Sequence, residues 1–299
     1  MSKLFKSIYQ EIPFKRELFQ FIRRFYIPSP GIYKHLFFKG SFKVKVDDSH
    51  SFKMNHYNTH GFPIEDELFW EGMHNKGREN KSLELWKKLA GISHVIFDVG
   101  ANTGVFSLVA KCVNKEAEIY GFEPIERIYA KYESNCQINN YPIHCEKLAL
   151  SNITGTSIIY DQPVENLYSA TLNKTFAVQN HLVSSSKPVE IQTKRLDDYI
   201  LEKGITKIDL MKVDVEMHEP EVLEGMGDYL VKFRPTLLIE VLSDDIARKL
   251  EVRLMNLEYL FYNIDEHSEP KKVEHLEKSG YYNFLICSKE TAEYLNLPL

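Results

Sequence analysis

An alternation of short apolar runs with helical segments, which begins at residue 94, constrains the fold most. Runs rich in Val, Ile and Phe predict strands, and the segments between them place apolar residues at helical spacing. This alternation is typical of βαβ units, whose right-handed crossovers build a parallel sheet covered by helices on both faces. We therefore predict an α/β, Rossmann-like three-layer sandwich around a mainly parallel, seven-stranded sheet. The predicted strands cover 94–98, 117–122, 143–150, 208–213, 236–241, 259–262 and 282–288.

The residues before this alternation follow a different pattern, so we divide the chain into an N-terminal helical and β extension (1–93) and an α/β domain (94–299). Helical spacing within 1–27 predicts two short amphipathic helices, and alternation within 37–69 predicts short antiparallel strands. The extension carries a net charge of +6 and the domain −11. The basic helices either pack as a cap on the domain, which we favour, or contact an anionic membrane peripherally through 1–27.

Composition excludes several classes of protein. The 299 residues are 43% hydrophobic and 26% charged, which is the balance of a soluble globular protein. No stretch approaches the ~18 consecutive apolar residues of a spanning helix. The four cysteines form no Cys-x-x-Cys pair, so we expect a cytoplasmic protein without a disulfide framework. An acidic domain also disfavours nucleic-acid binding, because a basic surface supplies most of that affinity.

One heptapeptide, 98–104 (DVGANTG), carries the strongest functional signal. Its glycines give backbone freedom between the first strand and the following helix, and Asp98 closes that strand with a carboxylate. The second strand ends in Gly-Phe-Glu-Pro, which places Glu123 where an acidic residue binds both hydroxyls of a ribose. The sequence therefore predicts a nucleoside site at this edge of the sheet.

The glycine spacing distinguishes between cofactors. A dinucleotide site carries G-x-G-x-x-G, whereas this chain has G-x-x-x-G next to the acidic Asp98, which disfavours a pyrophosphate. Carboxylates and turn carbonyls instead suit the ammonium and sulfonium of S-adenosylmethionine, which we predict as the cofactor. The alternative is that Gly100 and Gly104 only permit a tight turn.

Four motifs follow one another in the domain: 98–104 (DVGANTG), 121–124 (GFEP), 148–151 (LALS) and 212–216 (KVDVE). With them, the chain resembles the FkbM family of S-adenosylmethionine-dependent methyltransferases. The resemblance implies a class I methyltransferase fold and, commonly, O-methylation of a sugar or natural-product hydroxyl. One position departs from it, because Met217 stands where the family usually has Gly. The predicted cofactor-binding residues are Asp98, Gly100, Asn102, Thr103, Gly104, Glu123, Pro124 and Ala149.

The fourth predicted strand brings a cluster of titratable residues to the edge opposite the glycine turn: Lys212, Asp214, Glu216, His218 and Glu219. Asp214 and Glu216 alternate on the strand end, so both are expected to face the crevice. Methyl transfer to an alcohol needs an acceptor held in line, and a general base typically adds roughly 10²- to 10⁴-fold. We predict Asp214, Glu216 and His218 as catalytic residues, with Asp214 or His218 taking the hydroxyl proton. Two alternatives stay open: the carboxylates cap the following helix, or they share a divalent metal, which we do not predict. The predicted substrate contacts are Lys212, Glu240 and Glu79.

The sequence thus predicts a methyltransferase that methylates a sugar hydroxyl in a glycan or glycolipid. One alternative is O- or N-methylation of a small natural product. Another is a nicotinamide-dependent oxidoreductase, which the absent third glycine disfavours. A non-catalytic module is disfavoured by intact motifs at successive strand ends. The sequence pattern leaves the acceptor and the oligomeric state open.

Overall fold

The computed structural model describes residues 9, 11–58, 63–73, 79–161, 170–171 and 187–299. The strands are β1 (Lys39–Lys45), β2 (Ser51–Tyr57), β3 (Val95–Val99), β4 (Glu118–Phe122), β5 (His144–Glu146), β6 (Ala149–Ser151), β7 (Gly155–Asp161), β8 (Ala170–Thr171), β9 (Lys187–Arg195), β10 (Leu210–Val213), β11 (Thr236–Glu240), β12 (Leu260–Asn263), β13 (Lys271–Val273) and β14 (Asn283–Cys287). The helices are α1 (Lys15–Ile22), α2 (Pro30–Tyr33), α3 (Pro63–Trp70), α4 (Asn80–Ala90), α5 (Val105–Val113), α6 (Glu126–Asn139), α7 (Leu196–Lys203), α8 (Glu219–Gly225), α9 (Asp228–Phe233), α10 (Asp244–Leu254) and α11 (Lys289–Tyr294).

The main sheet has the order β13-β12-β14-β11-β10-β3-β4-β5. The strands from β11 to β5 are all parallel, whereas β14 is antiparallel to both of its neighbours. The predicted Rossmann-like α/β fold with a mainly parallel sheet is confirmed. The sheet has eight strands instead of seven, because the short β13 pairs with the edge strand β12. Its Lys-Lys-Val sequence lacks the apolar run that predicts a strand.

A second sheet, with the order β6-β9-β7-β8, was not predicted. The single strand predicted over 143–150 is wrong, because that stretch supplies β5 to the main sheet and β6 to the second one. The apolar alternation changes phase between Cys145 and Leu148, so one continuous strand cannot bury both on the same face. The polar composition of 161–187 predicts a long loop beside the crevice. This stretch is flanked by β7 and β9, and most of it lies outside the described residues.

The extension contains the predicted antiparallel pair, with Phe42 of β1 opposite Met54 of β2. One of its two predicted helices is α1, while 1–8 lies outside the described residues. Trp86 of α4 is fully buried, and its indole donates to the Phe106 carbonyl at 2.9 Å. The extension therefore shares a hydrophobic cluster with α5, and the boundary at residue 94 stays a prediction.

The parallel strands fix where a site can form. Because β3, β4, β10 and β11 run in the same direction, their carboxyl ends meet at one edge of the sheet. All four cysteines are free thiols. None of the helices in the described ranges combines the length and apolarity needed to cross a membrane.

Candidate active site

The glycine turn between β3 and α5 lies against the end of β10. Gly100 has φ +82°, and a Cβ built there would lie 1.8 Å from the Asp214 carbonyl oxygen. Gly104 has φ +91°, and its Cβ would lie 2.2 Å from the ring of Tyr132 on α6. Protein atoms therefore occupy the space that a side chain would need at either glycine. The tight-turn alternative explains their requirement for glycine, and contact with a cofactor through the backbone stays a prediction.

Asp98 lies in the middle of the sheet, between Lys212 of β10 and Gly121 of β4. Its Oδ2 atom accepts hydrogen bonds from the Ser107 amide at 2.9 Å and the Ser107 hydroxyl at 2.6 Å. Tyr132 in turn donates to the Ser107 hydroxyl at 2.9 Å. Burial raises the pKa of Asp98 above its usual value, although the charge of Lys212 opposes the shift.

The sequence interpretation missed Ser107 and Tyr132. A signal existed for Tyr132, because both Gly104 and Gly121 lack a side chain where its ring and hydroxyl lie. That signal can be recognised only when the residues that lie against the two glycines are known.

Three buried polar atoms around the turn have no hydrogen-bond partner in the part of the chain that the structure describes. They are Asp98 Oδ1, Asn102 Oδ1 and Thr103 Oγ1. A buried polar atom left unpaired costs about 1–3 kcal/mol, so a protein retains such a group mostly where something else pairs with it. Carboxylate and amide oxygens accept hydrogen bonds, so they suit a ligand that presents ammonium, amino or hydroxyl donors. These residues therefore fit the predicted cofactor.

Glu123 ends β4 beside this turn and is buried. Its Oε1 atom accepts a hydrogen bond from the Ile125 amide at 2.9 Å, and burial raises the pKa of Glu123 to about 7. Hydrogen bonds donated by ribose hydroxyls would favour the ionised form and lower that pKa. Ala149 lies in the same small hydrophobic cluster as Ile125, and Pro124 joins Glu123 to it. The structure thus brings three predicted residues, Glu123, Pro124 and Ala149, to one end of β4.

On the opposite side of the turn, Lys212 donates from Nζ to Asp214 Oδ2 at 2.6 Å and lies over the Phe106 ring at 4.5 Å. Burial alone would lower the pKa of Lys212, but the charges of Asp214, Glu79 and Asp98 raise it above the usual value. Burial also raises the pKa of Glu79 to about 7, while Lys212 opposes that shift. Two predicted substrate residues therefore interact with the predicted catalytic Asp214: Lys212 through a hydrogen bond and Glu79 through its charge.

The expectation that Asp214 and Glu216 alternate on a strand end is wrong. β10 ends at Val213, and both carboxylates lie in the loop that follows. Glu216 and Met217 have φ of 53° and 76°, a conformation that favours glycine. The departure from the family pattern at Met217 thus falls on a backbone that glycine would adopt without strain.

Buried Glu219 holds this loop in place. Its Oε1 atom accepts from the Val215 amide at 3.1 Å and the Met217 amide at 3.2 Å, and burial raises its pKa to about 8. The side chain of Glu219, the first residue of α8, therefore binds the loop that precedes this helix. The N-cap residue of α8 is His218, whose side chain makes no capping hydrogen bond, and capping by Asp214 and Glu216 stays an open alternative. Sequence reasoning placed Glu219 at this edge but gave it no role.

His218 itself faces β6. A hydrogen bond of 2.9 Å joins its Nε2 to the Ser151 hydroxyl, and its Nδ1 lies 3.6 Å from Glu221 Oε2. Burial lowers the pKa of His218, although the charge of Glu221 opposes the shift. The contacts of His218 are therefore separate from the Lys212–Asp214 pair.

Glu240 ends β11 next to this pair. Burial raises its pKa to about 10, and the charges of Asp214, Glu216 and Glu219 add to the shift. The negative charges of these three carboxylates therefore disfavour ionisation of Glu240, and the charge of Lys212 opposes that effect. Within the described ranges, no group of three or more His, Cys, Asp or Glu side chains is arranged to hold a metal ion.

A cavity of about 570 Å³ opens between the start of α4 and the segment that follows β12. At its wall, Glu266 accepts from the Lys81 amide at 2.7 Å, the Ser82 amide at 3.1 Å and the Ser82 hydroxyl. The helical pattern that begins at Ser82 predicts that this serine caps the helix, but Ser82 lies in the first turn of α4 and binds Glu266. The charges of both Asp214 and Glu266 raise the pKa of Glu79, which directly precedes the cavity-lining Asn80 in the chain. The residues lining the cavity are Asn80, Lys81, Glu84, Glu266, His267, Ser268 and Glu269.

The strand order and the polar residues at the carboxyl edge define a Rossmann-like α/β protein with a nucleoside-type crevice. The family model described as the methyltransferase FkbM domain matches residues 98–268, which is more than half of the chain. The chain therefore belongs to the FkbM methyltransferase family, as its motifs predicted.

Three of the curated relatives that the chain matches are named as methyltransferases. The chain is 28% identical over 155 residues to the 31-O-demethyl-FK506 methyltransferase FkbM of Streptomyces tacrolimicus, covering 45% of this chain and 60% of that protein. It is 29% identical over 153 residues to the 2-O-methyltransferase NoeI of Sinorhizobium fredii, covering 47% and 60%. It is 26% identical over 178 residues to the hexuronic acid methyltransferase AglP of Haloferax volcanii, covering 58% and 67%. The chain thus spans about three fifths of the length of the first two relatives.

Among solved structures, a methyltransferase FkbM from Methylobacillus flagellatus matches 93% of this chain and 61% of its own, with a TM-score of 0.42 and 13% identity. Similarity at that level carries no argument about function.

Proposed function

We propose that this protein is an S-adenosylmethionine-dependent O-methyltransferase whose acceptor is a sugar hydroxyl. The observation that carries the proposal is the set of unpaired, buried polar atoms around the glycine turn beside Glu123. In this proposal Asp98, Asn102 and Thr103 accept hydrogen bonds from the cofactor, and Glu123 accepts from the ribose hydroxyls. When bound, the cofactor supplies a methyl group on a positively charged sulfur.

The other side of the crevice prepares the acceptor. Lys212 holds the Asp214 carboxylate at 2.6 Å, which fixes the orientation of the group that takes the hydroxyl proton. Because the pKa of Glu240 is raised to about 10, its carboxyl stays protonated at neutral pH. Glu240 therefore donates a hydrogen bond to the acceptor and does not act as the base. Glu219 positions the loop that follows β10, because it accepts hydrogen bonds from two backbone amides of that loop.

The polar cavity beside Glu79 supports a hydroxyl-rich acceptor. Its volume of about 570 Å³ lies within the usual range for ligand pockets, and its walls carry carboxylates, an amide, a hydroxyl and Lys81. Sugars present many hydroxyl donors, which such groups bind directly. The relative named as a hexuronic acid methyltransferase favours the same class, and the relative named as a 2-O-methyltransferase favours transfer to oxygen. The relative named for FK506 favours a second candidate, a natural-product hydroxyl.

Cofactor binding is tested by calorimetry with S-adenosylmethionine. We expect Glu123→Ala to weaken binding at least tenfold, which is about 1.4 kcal/mol, because it removes the carboxylate that accepts from the ribose. The matched control is Glu126→Ala, since Glu126 lies three residues later and is exposed on α6. Equal affinities of the two variants would contradict the assignment, and binding of a nicotinamide dinucleotide would favour an oxidoreductase.

The acceptor class is tested separately by transfer of a labelled methyl group. Glycans that contain hexuronic acids and small polyketide alcohols are offered to the same enzyme preparation. We expect label on the glycans, with the linkage identified by mass spectrometry. Label on the alcohols alone would support the second candidate.

A further inference from the structure

Helix α1 and the turns that flank it present large apolar side chains to solvent. Phe14, Leu18, Phe21 and Phe25 are 77%, 53%, 58% and 78% exposed. Leu18 and Phe21 lie three residues apart in α1, which is the spacing of neighbouring side chains on one helix face. Phe14 lies four residues before Leu18, and Phe25 lies four residues after Phe21. The rings of Phe21 and Phe25 contact each other with centroids 5.3 Å apart. We call these four residues the aromatic stripe.

Contacts on the opposite side of α1 fix the direction of the stripe. Phe19 is buried, and its ring centroid lies 5.7 Å from that of Trp70 on α3. The Arg23 guanidinium lies over the Phe69 ring at 4.9 Å and donates to the Phe69 carbonyl. The helix is thus docked by a separate set of side chains, and the stripe points away from the core.

Exposed basic residues occur in the same segment of the chain, and Arg24 directly precedes Phe25 of the stripe. Residues 11–39 contain six Lys or Arg and two Glu, although the whole chain has a net charge of −5. Arg24, Lys34 and Lys39 are exposed. Apolar aromatic residues flanked by basic ones are typical of helices that lie in the interface of an anionic membrane. A contact between two copies of this face is disfavoured, because it would bring two positive surfaces together.

We propose that the aromatic stripe inserts into the interface of an anionic lipid bilayer and holds the protein there peripherally. The apolar rings lie among the acyl chains near the headgroups, and the exposed basic residues of this segment face anionic headgroups. An uncovered apolar surface of this kind is uncommon on a monomeric soluble protein unless it has a partner. This proposal does not depend on the proposed methyl transfer, since lipid binding is measured without it.

Co-sedimentation of the full chain with phosphatidylcholine vesicles, with and without phosphatidylglycerol, tests the proposal. We expect binding to the anionic vesicles at low salt, which weakens as salt screens the charges. The double variant Leu18→Ser, Phe25→Ser should lose binding at least tenfold. Its matched control is Leu201→Ser, Val252→Ser, which removes equally exposed apolar groups from α7 and α10. Far-ultraviolet circular dichroism and urea midpoints show that each variant is folded.

The charge contribution has its own pair of variants. Arg24→Ala should weaken binding to anionic vesicles about five-fold, whereas Arg248→Ala, on exposed α10, should leave it unchanged. Absence of vesicle binding by the unaltered protein overturns the proposal, as does equal binding by the stripe variant. A dimer in analytical ultracentrifugation that the stripe variant dissociates, without vesicle binding, would assign the face to a subunit contact instead.

Discussion

The two sides of the candidate crevice are held by different forces. On the glycine-turn side, Gly100 lies against the Asp214 carbonyl and Gly104 against the Tyr132 ring, with no room for a Cβ. On the carboxylate side, the loop after β10 is held by Glu219 through hydrogen bonds, and Lys212 offsets the charges around it. Steric contacts hold the first side, and polar and charged contacts hold the second.

This difference has a consequence for stability. Close packing does not change with pH, whereas the buried carboxyls Glu219 and Glu240 have raised pKa values and oppose folding once the pH favours their ionised forms. The carboxylate side therefore carries the groups suited to catalysis, but ionisation of its buried carboxyls lowers the free energy of unfolding. Such a conflict between local stability and polar groups is expected at functional sites.

The largest expected effect is on the glycine-turn side. Gly100→Ala should lower the free energy of unfolding by about 3 kcal/mol or more, because the new Cβ meets backbone that the sheet holds in place. Urea denaturation at pH 6 and pH 9 measures it, and the loss should be the same at both.

The matched control for this substitution is Gly204→Ala. Gly204 also has a positive φ, of 66°, but no other atom of the described residues lies within 4 Å of its Cβ position. Only the backbone penalty of about 1–2 kcal/mol is expected there. Equal losses in the two variants would show that the close approach to Asp214 does not hold the turn.

A smaller effect is expected on the carboxylate side. The folded protein keeps the Glu240 proton up to its raised pKa of about 10, while the unfolded chain loses it near 4.5. The folded state thus binds more protons between these values, and stability falls as the pH rises through that window. Glu240→Gln cannot ionise, so we expect it to reduce the loss between pH 6 and pH 9 by at least about 1.4 kcal/mol.

Urea denaturation at the two pH values checks this prediction for Glu240→Gln. Glu258→Gln is the control, because the Glu258 side chain is almost fully exposed. If both variants follow the pH dependence of the unaltered protein, then burial of Glu240 does not govern it.

The smallest effect concerns the strained loop. Met217→Gly should be about 1 kcal/mol more stable than Met217→Ala, since both lose the side chain but only glycine relieves the φ of 76°. At Met255, with φ −55°, the order should reverse, because glycine there only adds freedom to the unfolded chain. Thermal unfolding of the four variants measures both differences, and the same order at both positions would contradict the strain.

Part of the site could be predicted from the sequence because its signals are local. The four motifs lie at the ends of strands or in the loops next to them, so apolar periodicity together with glycine and acidic residues placed Asp98, Glu123 and Asp214 at one edge. The same reasoning failed where the period was ambiguous, as at 143–150, and where a strand lacked apolar residues, as at β13. It also expected Asp214 and Glu216 to alternate on the strand end, whereas both lie in the loop that follows Val213.

The sequence by itself determined the alternation of the parallel strands with helices and the family of the protein, because periodicity and motif spacing are properties of neighbouring residues. Only the tertiary structure decided which distant residues meet. It placed the Asp214 carbonyl against Gly100 and Glu266 at the start of α4, 184 residues from Ser82. It also decided that Phe19 is buried and Phe25 exposed. Such contacts depend on how the elements pack, and packing between distant segments leaves no periodic trace in either of them.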